Sequence, residues 1–309
     1  LEDSHLNYSR KYLHSLVNLN KFKEAFNYAI NLEKRKLDTY DSNLIIGIYY
    51  LKNNQFDIAQ KYFFKIKNRN SRFILNKFIS NSLLNWSSLD KLDLKKAQNK
   101  MDTTDEAFEN LKVIQNVFLH CFYDSQKTEF FFKNLISNTK IDFSRYNYFY
   151  AKYLVRNGKI NQAKIVLDSS LELHPRNLLL NQYRLDLNNN INGNKFDCQN
   201  QSHVAAEILY ITANALSSQS IYKFSNFYLN LAKYLNSDFY SYNTLLAENH
   251  YKIDNLKQAK KINNNLSKQG NYFLWYAAKI NSKILIQEEK KDEALKLLFN
   301  TYKKISQKG

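Results

Sequence analysis

NKFKEAFNYAI at residues 20–30 and NQFDIAQKYFF at residues 54–64 are two versions of one segment, and they place Ala25 and Ala59 34 residues apart. A period of that length built from helical stretches is the signature of stacked helix-turn-helix units, each too small to bury its own apolar face and therefore shielded by its neighbours. Around the second copy, Leu44, Gly47 and Tyr50 recur at helical spacing, KNNQ at 52–55 reads as a turn, and Ala59, Phe63 and Ile66 resume the spacing. Small side chains at Gly47 and Ala59 let two helices approach closely while larger neighbours fill the space beside them.

Further along, 144–175 repeats the pattern: Tyr150, Ala151 and Leu154 on a first helix, Asn157-Gly158 at the turn, and Ala163, Leu167 and Leu171 on a second. It closes on His174-Pro175, where proline stops a helix by removing a backbone donor. From 204 onward the pattern returns, and Ser225, Ala259 and Ala294 keep steps of 34 and 35 residues. Between 72 and 140 helical periodicity persists but the step is lost, since Ala97 lies 38 residues beyond Ala59. With 1 proline and 5 glycines in 309 residues, long helices joined by short polar turns are the economical reading. The expected fold is all-α, an α-solenoid of stacked helical hairpins.

These residues resemble the tetratricopeptide repeat family, whose 34-residue unit favours small residues at positions 8 and 20, large apolar groups at 4, 7, 11 and 24, and proline at 32. Gly47, Tyr50, Ala59 and Phe63 match positions 8, 11, 20 and 24 of one copy. Ala151, Leu154, Ala163, Leu167 and Pro175 match positions 8, 11, 20, 24 and 32 of another. Other copies are degenerate, with Ser225 at position 20 of one and Asn263 at position 24 of another. The resemblance implies a superhelical scaffold for protein–protein interaction, not an enzyme. Its overall style is similar to the long, divergent arrays of bacterial envelope proteins, which implies a periplasmic or envelope-associated location over a cytoplasmic one. The family's carboxylate clamp is not carried over, because Arg10 and His14 stand where it has Lys and Asn.

LNNNINGNKFDCQNQS at 187–202 lacks a helical period and is rich in residues that tolerate left-handed backbone. It reads as a loop or hinge, dividing the chain into an N-terminal array over 1–190, a connector over 191–202, and a C-terminal array with a capping helix over 203–309. MDTTDEA at 101–107 carries helix N-terminus signals and marks a second, weaker break. The terminal stretch EEKKDEALKLLFNTYKKISQKG reads as a polar cap on the last repeat. The aromatic runs EFFFKNL at 129–135 and YNYFYAKYL at 146–154 read as core between repeats.

The formal charge of +17 and pI near 9.5 point to nucleic acid, anionic lipid or an acidic protein as partner. The abundance of Lys, Asn, Ile, Tyr and Phe equally fits drift in an A/T-rich coding sequence, so both readings stay open at this point. His5, His14, His120, His174, His203 and His250 form no HExxH pairing, and GxxxxGK[ST], GxGxxG and GxSxG are absent. No catalytic residue, cofactor or metal site is therefore expected. Cys121 and Cys198 lack a second cysteine at metal-ligand spacing, and their pairing with each other is left open. No apolar run reaches the ~18 residues of a membrane span. The chain begins at Leu1 instead of methionine, so removal of an N-terminal segment is expected.

Stacked hairpins curve, and the first helix of each pair lines the inner face. In the two clean registers the inward positions are Lys52 in one copy, and Arg145, Tyr148, Lys152 and Arg156 in the other. Their counterparts are Arg10, His14 and Asn18 in the first copy, and Tyr210, Asn214, Tyr251 and Lys252 in the C-terminal array. Cationic heads mixed with tyrosine rings suit an extended or acidic protein segment held on the concave face. Ordinary solvent-facing Lys and Tyr would give the same list. The alternative, a nucleic-acid-binding helical repeat using its basic surface, draws on KLDLKKAQNK at 91–100 and KQAKK at 257–261. Oligomeric state is open.

Overall fold

A computed structural model describes residues 2–69, 74–102, 108–138, 140–191, 193 and 195–307, with the side chains of 2–4 excepted. Among them are seventeen α-helices and no strand. In chain order these are α1 (Glu2–Asn18), α2 (Phe22–Lys34), α3 (Tyr40–Lys52), α4 (Phe56–Lys67), α5 (Ile74–Trp86) and α6 (Leu94–Met101). There follow α7 (Glu109–Phe122), α8 (Thr128–Ile136), α9 (Arg145–Arg156), α10 (Ile160–Leu173), α11 (Leu178–Asn188) and α12 (Gln201–Ser218). The last are α13 (Tyr222–Leu235), α14 (Ser241–Lys252), α15 (Leu256–Leu266), α16 (Asn271–Gln287) and α17 (Lys291–Ser306). The weaker break expected at 101–107 lies outside the described residues beyond Asp102.

Six hairpins, α1–α2, α3–α4, α9–α10, α12–α13, α14–α15 and α16–α17, turn on one geometry. The first helix ends at a residue in left-handed conformation: Asn20, Asn54, Gly158, Ser220, Asp254 and Glu289 have φ of 59°, 56°, 75°, 63°, 59° and 63°. The next amide then reaches back five residues, as in Gln55 N–H to the Tyr50 carbonyl at 2.9 Å or Lys290 N–H to that of Leu285 at 2.8 Å. This closes the helix by satisfying a carbonyl that has no partner within it. Five residues after each left-handed residue stands Ala25, Ala59, Ala163, Ser225, Ala259 or Ala294, each buried where the second helix crosses the first.

Gly47 shows how close that crossing is: a Cβ on it would lie 2.5 Å from the Phe63 ring. Ser225, the departure from alanine, donates its hydroxyl to the Ala213 carbonyl at 2.7 Å, so its polarity is satisfied inside the hairpin. The step is lost after Ala59 because the α5–α6 connection contains a short 3₁₀ turn, Leu89–Lys91, that lengthens it. Helix α10 ends at Leu173, just before His174-Pro175.

The contacts divide the chain into two units interleaved in sequence, not at the single boundary read at 191–202. One comprises 1–131 and 197–237, the other 132–196 and 238–309. In the first, α1 to α7 stack in series and α12–α13 packs against α1, α3 and α5. Helix α12 is buried on several sides through Val204, Ala205, Ile208, Leu209, Thr212 and Leu216. In the second, α9–α10 stacks on α11, which meets α16 within the run α14–α17. Gln182 on α11 accepts from the Tyr272 amide at 3.0 Å, an approach that Gly270 permits by lacking a Cβ. The last helix is not a polar cap: Leu295, Phe299 and Tyr302 are 70%, 54% and 61% exposed. Among the described residues no helix is long and apolar enough to cross a membrane.

Two outcomes follow for stability. Gly47→Ala forces the Phe63 ring aside and should cost about 1–3 kcal/mol in a denaturant titration; an unchanged midpoint would show that the crossing relaxes freely. His250 is buried, and burial holds its pKa down to about 4. Between pH 6.5 and 4 the unfolded chain therefore binds more protons, so stability falls with acidification through that window, by up to ~3 kcal/mol for this group. A His250→Leu variant should lose most of that slope.

Candidate interaction surface

In the first unit the inner positions of the early helices all meet α13. The Arg10 guanidinium lies 5.7 Å from the Phe224 ring centre, and the His14 ring stacks on Phe227 at 4.0 Å. Asn18 accepts from Asn230 Nδ2 at 3.1 Å. Lys52 Nζ donates to the Leu235 carbonyl at 3.0 Å, placing a cation at the negative end of α13. The inner face is thus lined by the residue types that suit a bound segment, and the chain's own hairpin lies against it.

Arg10 and His14 converge through Asp41, a residue absent from the sequence-derived set. Asp41 is 5% exposed. It receives Arg10 Nε at 3.3 Å on one oxygen and His14 Nε2 at 3.1 Å on the other. A buried carboxylate needs such partners, and here it locks α1 to the start of α3. Nearby, burial pushes the phenols of Tyr40 and Tyr228 well up, so both are neutral.

Two clefts open on either side of Arg10. One, of about 680 Å³, is lined by Arg10, Lys36 and Arg69 over Leu6, Leu37 and Tyr40. The other, of about 610 Å³, is lined by Arg10, Lys11, His14 and Lys223 over Phe224. Arg69 is held by Asp38 at 2.5 Å. Among the described residues no carboxylate pairs with Lys11, Lys36 or Lys223. Each cleft therefore combines an apolar floor with uncompensated positive charge.

The remaining residues do not gather on one surface. Arg145 donates to Ser241 Oγ at 2.8 Å and lies over Phe149 and Phe239. Tyr148 is fully buried against Tyr183 and Phe239, a core position where a first-helix surface position was expected. Lys152 lies 5.2 Å over the Tyr183 ring, and Arg156 covers Tyr153 of its own helix. Tyr210 is half-buried and Asn214 exposed on α12. Tyr251 packs on the cluster of Ala259, Ile280 and Ile284, while Lys252 is exposed. The sequence signal for the occupied inner face was available: α12 carries apolar residues on several sides, which marks a helix buried over much of its surface.

Cys121 on α7 is bonded to Cys198, which leads into α12. Asn200 then caps α12 by accepting from the Ser202 and His203 amides, and Ser202 Oγ donates to the Leu51 carbonyl on α3. The inserted hairpin is thereby fastened at its entry to helices far away in sequence.

No family model and no curated protein matches the sequence. Among solved structures, that of yeast Tom70 is similar over 95% of this chain and 77% of that chain, at 16% sequence identity and a TM-score of 0.33.

The disulfide spans 77 residues of sequence, and by chain entropy such a closure stabilises by about 4 kcal/mol. Reduction, or a Cys121→Ser/Cys198→Ser variant, should lower the denaturation midpoint accordingly. A midpoint insensitive to reductant, in protein shown by mass to carry the bond beforehand, would refute a stabilising role.

Proposed function

We propose that the chain is a non-catalytic scaffold that holds an acidic protein segment along α1, in the paired clefts either side of Arg10. One observation carries the reading: Lys11, Lys36 and Lys223 line these clefts with no carboxylate partner among the described residues, above apolar floors supplied by Leu6, Leu37 and Phe224. Carboxylates would supply the missing counter-charge, and aromatic or aliphatic side chains of the same segment would cover the floors. The inner positions of unit 1 support the reading from another direction, since they engage α13 by cation–π, stacking and carbonyl contacts of the kind a partner would use.

The location we infer is an oxidising compartment outside the cytoplasm. The buried Cys121–Cys198 bond supports it, because such bonds persist where glutathione and thioredoxin do not keep thiols reduced.

The test is fluorescence anisotropy with a labelled peptide rich in Asp and Glu and interspersed with Leu and Phe. It should bind in the micromolar range and weaken as salt screens the exposed charges. Lys11→Glu with Lys223→Glu should weaken it at least tenfold, about 1.4 kcal/mol. If a single-stranded oligonucleotide of equal charge binds more tightly and displaces the peptide, the nucleic-acid reading replaces this one. If the double variant binds as well as the parent, the clefts are not the site.

A further inference from the structure

We propose that the chain associates end to end with a second copy of itself, α17 of one copy packing on α1 of the next. Both helices carry an apolar stripe that stays exposed to solvent, although Tyr12 also meets the Tyr28 ring of α2 edge-on at 4.8 Å. On α17 the stripe is Leu295, Phe299 and Tyr302; at α1 it is Tyr8 and Tyr12 on the helix and Leu19 just past its end, which are 64%, 39% and 65% exposed. Spacings of three, four and seven place each set on one helix face.

The repeat register assigns these stripes a role. Counting from the small residue at each crossing, Leu295 and Phe299 follow Ala294 by one and five residues, as Lys260 and Asn264 follow Ala259. Lys260 and Asn264 join α15 to the next hairpin: Lys260 Nζ pairs with Glu288 at 2.6 Å, and Asn264 accepts from Asn281 Nδ2 at 3.4 Å. Phe26, one residue after Ala25, does the same work by stacking on Tyr49 of α3 at 3.9 Å. Leu295 and Phe299 thus occupy the positions that elsewhere contact a following first helix.

The same counting on first helices puts Tyr12 of α1 and Leu19, just past its end, where Asn281 and Glu288 stand in the last hairpin. Those are the residues that receive the preceding second helix. Superposing the two registers pairs Leu295 with Leu19 and Phe299 with Tyr12, and continues in antiparallel order to Tyr302 with Tyr8. All three pairs are apolar or aromatic, whereas the internal equivalents are polar. Tyr8 and Tyr12 stack on each other at 6.1 Å, giving α1 a preformed aromatic ledge. The joint continues the stack already seen between hairpins within one chain.

Such a joint uses different surfaces on the two partners, so it propagates as open chains or closes into rings. Each copy carries +17, and Lys296 and Lys303 flank the α17 stripe, Lys303 lying 4.3 Å over Phe299. Repulsion between copies therefore opposes the contact, and added salt should strengthen it. That salt dependence is opposite in sign to the one expected for an acidic partner in the clefts, so the two readings fail separately.

The experiment is light scattering of the 309-residue chain from micromolar to near-millimolar concentration at low and high salt. The mass should start at 36.7 kDa and rise with both variables. Tyr8→Glu blocks one end and Phe299→Glu the other, and each alone should weaken association at least tenfold. Mixed in equal amounts they should form a species of two chains and nothing larger, since each retains the surface the other needs. A mass fixed at 36.7 kDa under all conditions overturns the proposal. So does association that survives Tyr8→Glu but not Phe299→Glu, which would mean α17 meets α17. Helix content by circular dichroism checks that both variants fold; if either does not, Leu19→Glu or Leu295→Glu takes its place.

Discussion

Each regular hairpin depends on a close crossing made possible by a left-handed residue and, five positions later, a side chain small enough to let the helices touch. The turn must reverse the chain within three residues, so the amide after the left-handed residue closes the first helix and the second starts at once. A larger group at the crossing would hold the helices apart and expose Phe63 and its equivalents. Where the small residue is serine, its hydroxyl is absorbed by a carbonyl across the hairpin and the geometry survives. Everything that varies along the chain is attached to this constant frame.

The frame leaves the inner sides of α1, α3 and α5 apolar enough to require cover, and α12–α13 supplies it from the far side of the sequence. Once that hairpin is seated, inner positions that would otherwise face solvent become structural. His14 stacks, Lys52 neutralises a helix end, and Asp41 is drawn inside by Arg10 and His14. At the edge of α1, Lys11, Lys36 and Lys223, which pair with no carboxylate among the described residues, stand over apolar groups of the two clefts. Electrostatic attraction and repulsion act on the same helix there, so ionic strength separates what acidic partners and identical copies would each do.

Some of this was readable from residues. Ala25 and Ala59 with their flanking runs gave the hairpin, Asn157-Gly158 its turn, and Pro175 the end of α10. Ser220 and Glu289 were not readable as left-handed turn residues, because neither favours that conformation intrinsically and only the hairpin enforces it. The register through 72–140 was lost because a 3₁₀ turn adds residues without changing the local helical period. Asp41 could not be chosen over other exposed-looking acids, since its burial depends on two cations from another helix.

The sequence by itself determined the helical class, the clearest hairpins with their turns at 52–55 and Asn157-Gly158, and faces that must be buried, because these depend on contacts within some thirty-five residues. It did not determine which face covers which. That Cys121 would meet Cys198, that α12–α13 would fill the inner side of the first hairpins, and that Tyr148 would be core were decided by tertiary structure alone. The physical reason is that apolar burial is non-directional: a periodic pattern states that a face needs a partner, and only the assembled shape says which distant segment fits.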